Sequence, residues 1–478
     1  MKLAGNMLDA ELEGNIAQAR QWLEQGELNK AVTAYTRLIG SHPNVLSLNL
    51  GLGIALTFSQ RFTEAEMVLQ HALSQWPNQP DLLFSLADMA QRQGKVGKAE
   101  QLYRNGLAHH PQHLPCRQNL GCLLYQTWRF TEAARLHAET INLYPGHPAS
   151  WRDLGQALVA AGHVEEGFNI LTEACQRFPD DRETRFAFGL VALRKGEWTK
   201  GWNAYEARWL PGELEARIPN GCSLWTGQKI PAGKTLHILS EQGFGDNLMF
   251  ARYLARLTPF ADHISYVTHP ALVTLMQSSF PNIAVNHQLA AQEGDSCLPI
   301  ASLPRVLLEI APQPPKIFPY LHPSVKNCDP ALVENLNNLP KPFLAITWRG
   351  NQKGQGLATR SLQIRDILPT LQNTPCSTIV SLQKDPTPKE TAELVELGII
   401  DFSPLLKDFN ATANILKAAE GLVSIDTAIV HLAGALGKPI TLLQRPEGDW
   451  RWGTNHRGEA WYEGDRMTTM NIDFGHQP

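Results

Sequence analysis

The sequence predicts an α-helical solenoid followed by an α/β region made of two doubly wound halves that face one another across a cleft. Three observations carry that expectation. Prolines recur every 34 residues through the first half, at Pro43, Pro77, Pro111, Pro145 and Pro179. From residue 235 onward, short apolar runs alternate with segments whose apolar residues recur at helical spacing. That alternation comes in two blocks, separated by a proline-rich stretch between Pro299 and Pro323.

The 34-residue period is carried by more than prolines. Small residues keep the same step at Ala19, Gly53, Ala87, Gly121, Gly155 and Gly189, and again at Ala31, Ala65, Ala99, Ala133, Gly167 and Gly201. Small side chains let two antiparallel helices approach closely, and the proline ends the second helix before the next unit. Gly26, Gly94, Gly162 and Gly196 fall in the turn inside a unit, where Gln60 and Trp128 replace glycine in the other two. Period and pattern resemble the tetratricopeptide repeat (TPR), with six units over residues 1–210 and the last lacking its terminal proline. A stacked array of this kind buries a continuous core and leaves a concave face for extended partners. Docking of a protein is one expectation for it, and structural support of the second half is the other. Asn49 and Asn119, on first helices, are candidate clamps for a peptide backbone.

A joint is expected at 211–233. Trp198, Trp202, Tyr205, Arg208 and Trp209 crowd the last unit, and Pro211, Gly212, Trp225, Gly227, Pro231 and Gly233 follow. The aromatic cluster reads as packing. Residues 227–235 look superficially like a phosphate-binding loop, but five residues separate the glycines where four are needed, and a strand follows where a helix should.

In the first α/β half (234–325), strands are expected at 235–239, 264–267 and 283–285, with helices beginning at Asp246 and over 271–276. The first turn reads Glu241-Gln-Gly-Phe-Gly-Asp246, which lacks the third glycine of a dinucleotide fingerprint but presents a carboxylate at a sheet edge. Asp246 reads equally well as a catalytic group or as a helix N-cap. The second half (326–478) has strands expected at 343–348, 377–382 and 399–402, with helices near 364–371, 389–397 and 411–419. It ends in a strand–helix–strand unit at 421–443. Asp426 and Thr427 open that helix with almost no loop before it, and Gly437 and Pro439 close it. The junction aims unpaired N–H groups and the positive helix end at the carboxyl edge of a sheet, where phosphates bind; simple capping by Asp426 and Thr427 is the alternative.

Several stretches together resemble bacterial tetratricopeptide-repeat proteins with a glycosyltransferase family 9, heptosyltransferase-like domain. They are residues 241–254, Ser381-Leu-Gln383-Lys384, residues 424–438 and Asp449-Trp-Arg-Trp452. The resemblance implies a GT-B fold, with an acceptor half first, a nucleotide-sugar half second and the active cleft between them. It implies that Asp246 is the general base, that Asp426, Thr427 and Ala428 hold the donor diphosphate, and that Gly245, Gln383, Lys384 and Ser424 line the donor site. It also implies a basic residue on phosphate, with Arg360 the nearest match and Arg349 and Lys353 its rivals. His431, one turn into the helix, either reaches the donor or is a buried, hydrogen-bonded histidine. Residues 444–448 (Gln-Arg-Pro-Glu-Gly) depart from the apolar loop of that family.

Glycosyl transfer needs a base for the acceptor hydroxyl and positive charge for the departing phosphate. In GT-B enzymes helix ends and basic side chains supply that charge, so neither metal nor cofactor is expected; the chain has no Asp-x-Asp motif. A net charge of −4 argues against nucleic acid as partner. No run of about 18 apolar residues is present, so no membrane span is expected. Residues 1–15 lack the apolar segment of a signal peptide. Seven scattered cysteines without zinc spacing suit a reducing cytoplasm. The expected partners are a nucleotide sugar and a protein or glycan acceptor. The alternative is a non-catalytic scaffold whose second half survives as a binding fold.

Overall fold

The computed structural model describes residues 2–241, 243–350, 361–371, 376, 378–454, 461–462 and 466–471, with side chains from residue 11 to residue 470 of these. The chain packs as two compact units that divide between Ala161 and Gly162.

Among the described residues the first unit consists of nine helices: α1 (Lys2–Glu24), α2 (Leu28–Ser41), α3 (Leu46–Phe58), α4 (Phe62–Gln75), α5 (Pro80–Arg92), α6 (Val96–His109), α7 (Leu114–Gln126), α8 (Phe130–Leu143) and α9 (Pro148–Ala160). The first helices from α3 onward start 34 residues apart. Each second helix stops two residues before the repeating proline, whose ring disfavours helical backbone in the residue before it. The small-residue series sits where paired helices touch: a Cβ built at Gly53 would overlap Leu69, and one at Gly121 would overlap His137. The turn inside each unit requires left-handed backbone. Gly26 and Gly94 supply it at φ 74° and 73°, and Gln60 and Trp128 are forced into it at φ 60°.

The repeating proline leaves a carbonyl outside any helix, and one position in the next helix answers it. Asn49 Nδ2, Arg117 Nε and Trp151 Nε1, spaced by the repeat, donate to the carbonyls of Pro43, Pro111 and Pro145. Asn49 is therefore committed to its own repeat, and Asn119 Nδ2 is 3.3 Å from the Tyr103 hydroxyl. Neither asparagine is the open backbone clamp that the sequence suggested.

The second unit opens with α10 (Val164–Arg177), α11 (Arg182–Lys195) and the short α12 (Trp198–Tyr205). Trp202, 1% exposed, packs edge-to-face on Phe250, Trp450 and Trp461 at ring distances of 5.8 to 6.0 Å. The aromatic run is thus core. The remaining helices among the described residues are α13 (Glu213–Arg217), α14 (Phe244–Phe250), α15 (Pro270–Ser279), α16 (Leu303–Val306), α17 (Pro330–Asn338), α18 (Ile364–Leu371), α19 (Pro388–Glu396), α20 (Phe409–Ala418) and α21 (Ala428–Ala435). Among the described residues the strands form two all-parallel sheets. The first contains β1 (Ser223–Leu224), β2 (Thr235–Leu239), β3 (His263–Val267), β4 (Ala284–Asn286) and β5 (Ser296–Pro299), in the order β1-β5-β2-β3-β4. The second contains β6 (Phe343–Thr347), β7 (Thr378–Ser381), β8 (Ile400–Asp401), β9 (Gly421–Ile425), β10 (Ile440–Gln444) and β11 (Met467–Asn471), in the order β11-β10-β9-β6-β7-β8. In the second sheet the chain runs outward from β6 one way and then from β9 the other, which is the doubly wound dinucleotide-fold order. In both sheets a strand order that reverses leaves a crevice at the carboxyl ends, after β2 and β5 in the first and after β6 and β9 in the second. The strands bordering these crevices are buried on both faces, as a parallel sheet covered by helices requires.

Candidate functional site

At the first crevice, α14 (Phe244–Phe250) starts five residues beyond β2. The turn between them is braced from inside. Asn247, 1% exposed, donates through Nδ2 to the carbonyls of Glu241 and Gly243 at 2.8 Å and accepts from the Tyr266 hydroxyl at 2.9 Å. Glu241 is held by Arg208 through two bonds of 2.9 and 3.0 Å, and it also accepts from the Ala301 N–H. The glutamate of the turn motif is therefore a strut between the two strands that border the crevice.

This bracing fixes Asp246. The N-cap position of α14 is Gly243, so the carboxylate of Asp246 is not an N-cap; it reaches outward to Arg451. Arg451 lies in a single-turn helix, Trp450–Trp452, and holds Asp449 Oδ1 at 2.9 Å through its other terminal nitrogen. Burial works against the Arg451 charge, but the Asp246 and Asp449 carboxylates more than offset it and hold the guanidinium charged well above the ordinary arginine range. Arg451 Nε is buried without a hydrogen-bond partner. The resulting Asp246–Arg451–Asp449 triad leaves both carboxylates about a quarter exposed.

At the second crevice, α21 (Ala428–Ala435) follows β9 after two residues. Thr427 occupies its N-cap position with extended backbone, yet makes no side-chain capping bond. Its hydroxyl lies 3.4 Å from Ser424 Oγ. Capping by the Thr427 side chain therefore does not account for this helix start. The first turns of α14 and α21 meet. A Cβ on Gly245 would come within 2.8 Å of His431 Cδ2 and 3.6 Å of Ala428 Cα. Glycine is what permits the approach.

His431 is the buried, hydrogen-bonded alternative. Its Nδ1 is 2.7 Å from the Tyr462 hydroxyl, and its ring stacks on Trp452 at 5.3 Å and 12°. Burial, helped by the Arg451 charge, pushes the imidazole down to about 3, so the ring is neutral. Ser424 is fully buried, 2.6 Å from Thr347 Oγ1, and joins β9 to β6 across the crevice floor. Arg349 is occupied: its guanidinium forks onto Glu390 at 3.1 Å and its backbone N–H donates to Gln383 Oε1. Against the cost of burial, Arg349, the Thr387 N–H and Trp348 hold the Glu390 carboxyl down to about 2. Lys384, after β7, is exposed. Arg360 and Lys353 lie outside the described residues. The structure thus brings Gly245, Asp246, Asp426, Thr427, Ala428 and His431 together. Beyond β6 and β7, Arg349 is tied to Gln383 through its backbone N–H and to Glu390 through its guanidinium. The sequence reading passed over Arg451, although it stands inside the Asp449–Trp452 motif. Its signal was a lone arginine between two tryptophans beside an aspartate.

With this geometry in place, comparisons with known proteins define the class. Tetratricopeptide-repeat families match residues 16–80, 50–113 and 148–191. The chain carries tetratricopeptide repeats in its N-terminal region. It is similar to protein FlbA of Caulobacter vibrioides, at 25% identity over 86% of this chain and 79% of that protein. That span exceeds the repeats and includes much of the α/β region. A TPR repeat-containing protein of Pseudomonas aeruginosa is 25% identical, over 35% of this chain and 29% of its own length. Among solved structures, a thermophilic TPR protein of Thermus thermophilus covers 38% of this chain and 99% of its own, at 13% identity and a TM-score of 0.33. Among the described residues, no helix is long and apolar enough to cross a membrane.

Proposed function

We propose that the chain is a glycosyltransferase of GT-B type that transfers a sugar from a nucleotide-sugar donor to a protein or glycan acceptor held on the repeats. The observation that supports this most is the meeting of the α14 and α21 first turns at Gly245, with Asp246, Arg451 and Asp426 grouped around them. Crevices at the carboxyl ends of doubly wound sheets are where such folds bind ligands. In this reading the donor phosphate lies on the backbone N–H groups at the start of α21. Asp246 takes the proton of the acceptor hydroxyl, and the acceptor oxygen bonds to the anomeric carbon as the bond from that carbon to the phosphate oxygen breaks. The nucleotide leaves with the added negative charge, which the α21 terminus and Arg451 meet. Arg451 is assigned this role by position: Asp246 and Asp449 hold its guanidinium at the crevice, whereas Glu390 holds Arg349 beyond β6 and β7. The repeats recruit the acceptor, as stacked repeats offer extended binding faces. All seven cysteines are thiols, which suits the cytoplasm.

A second reading is a scaffold that binds proteins through its repeats and catalyses nothing. It is favoured by one observation: Asp246 and Arg349 both have charged partners already, Arg451 and Glu390. Thermal unfolding of the full chain with nucleotides and nucleotide sugars separates the two. A donor present at 100 times its dissociation constant adds about 2.7 kcal/mol to stability. The scaffold reading requires no shift with any of them.

A further inference from the structure

A small pocket opens beyond the ends of β9 and β10, with a volume of about 20 Å³ and a lining that includes Asp426, Gln444, Arg445, Gly448 and Asp449. Gln444 closes β10 and is 3% exposed, yet among the described residues neither its Nε2 nor its Oε1 has a hydrogen-bond partner. The preceding residues Leu442 and Leu443 are fully buried and apolar, so the position suits an apolar side chain equally well. An unpaired buried donor and acceptor are costly in a folded chain, and apolar replacement of such groups is neutral or stabilising. A structural role does not explain this glutamine.

We infer that Gln444 reads a neutral, polar substituent on the transferred sugar, a hydroxyl or acylamino group. The inference rests on the function proposed above. Asp449 ties the pocket to the reaction site: its carboxylate lines the pocket and also holds Arg451, which holds Asp246. The reacting carbon lies within reach of Asp246, so the ring bearing that carbon is the part of the donor nearest Asp449. The pocket volume admits one small group and not a ring. Charge narrows the group further. Asp426 and Asp449 line the pocket as carboxylates, and Arg445 is paired with Glu447 at 2.9 Å, so an anionic substituent is disfavoured. Nε2 donates and Oε1 accepts. A hydroxyl or an acylamino group answers both, and a deoxygenated position answers neither. Sites that hydrogen-bond a ligand group discriminate strongly against analogues lacking it, because their own polar atoms are then left unpaired.

The test uses Gln444→Met, which keeps length and removes hydrogen bonding, in the full chain. Calorimetric titrations with UDP-glucose, UDP-N-acetylglucosamine, GDP-mannose, ADP-glucose and CMP-N-acetylneuraminate are run beside the bare nucleotides and a urea unfolding curve. The expected result is an unchanged or higher unfolding midpoint, unchanged affinity for the bare nucleotide, and at least a tenfold loss of affinity for the sugar-bearing donor. Equal donor affinity in both proteins overturns the inference and leaves the proposed function standing. A lower unfolding midpoint, or loss of bare-nucleotide affinity, marks a structural role and also overturns it. Failure of every nucleotide sugar to bind the wild-type chain overturns the proposed function and the inference with it.

Discussion

Gly245→Ala probes the meeting of the two helix starts without touching any charged group. The added methyl would sit 2.8 Å from His431 Cδ2, well inside contact distance. The ring cannot swing away, because Tyr462 holds Nδ1 at 2.7 Å and Trp452 stacks on its face at 5.3 Å. Overpacking of this kind costs about 1–3 kcal/mol. Alanine in place of glycine inside a helix returns up to about 1 kcal/mol. The net expectation is a loss of roughly 1–2 kcal/mol, confined to the unfolding transition of the second unit. In a His431→Ala background the clash disappears, so the same substitution becomes neutral or mildly stabilising. Urea unfolding of the four proteins, followed by the fluorescence of the buried Trp202, Trp225, Trp452 and Trp461, gives a coupling energy of about 1–3 kcal/mol. Additive effects within about 0.5 kcal/mol would refute the close approach of α14 and α21.

Three further outcomes are expected. Gln60→Gly relieves the left-handed backbone at φ 60° and stabilises the first unit by about 0.5–1 kcal/mol, read as a higher urea midpoint. His431 stays neutral in the folded chain down to about 3, whereas its ordinary value is 6.5. Below 6.5 the unfolded chain therefore binds the extra proton, and second-unit stability falls as pH falls, by about 1.4 kcal/mol per pH unit. Glu390, held at about 2, adds its loss only below its ordinary 4.5, so the interval from 4.5 to 6.5 isolates His431, and His431→Asn flattens the slope there. Finally, residues 1–161 expressed alone give a cooperative helical unfolding curve, while residues 1–210 aggregate because Trp202 loses Phe250, Trp450 and Trp461. Equal solubility of the two fragments would contradict that packing.

What was legible in the sequence follows from where the signals were local. The 34-residue step is written in proline and small residues, each acting within one helical hairpin, so helix starts and stops could be placed to within a residue or two. Apolar strands β2, β3, β6, β9 and β10 were equally plain. Strands β1, β5 and β11 were not: Ser223–Leu224 is two residues long, Ser296–Pro299 mixes serine, cysteine and proline, and Met467–Asn471 carries two threonines and no apolar alternation. Their identity comes from neighbouring strands. The site divided the same way. Asp246, Asp426 and Thr427 stand at recognisable strand–helix turns, but local sequence also offers capping, and only the folded geometry shows that Gly243 is the N-cap of α14 and that Thr427 makes no side-chain capping bond. Arg451 lies 205 positions from the carboxylate it holds, and nothing in its own neighbourhood announces that partner. Arg349 shows the converse: its place after a first strand is plain in the sequence, but its ion pair with Glu390, 41 positions on, is not.

In the proposed reaction Asp246 accepts the proton of the acceptor hydroxyl. Asp246→Asn retains the side-chain shape and can still donate or accept a hydrogen bond. With a donor identified by the thermal screen and an acceptor captured by the repeats, single-turnover transfer is measured for both proteins beside donor affinity and unfolding midpoint. Unchanged donor affinity is predicted, with an unfolding midpoint only modestly lower because asparagine still accepts from Arg451 and Asp449 still pairs with it, and a rate lower by roughly a hundredfold or more. Wild-type turnover in Asp246→Asn would contradict it.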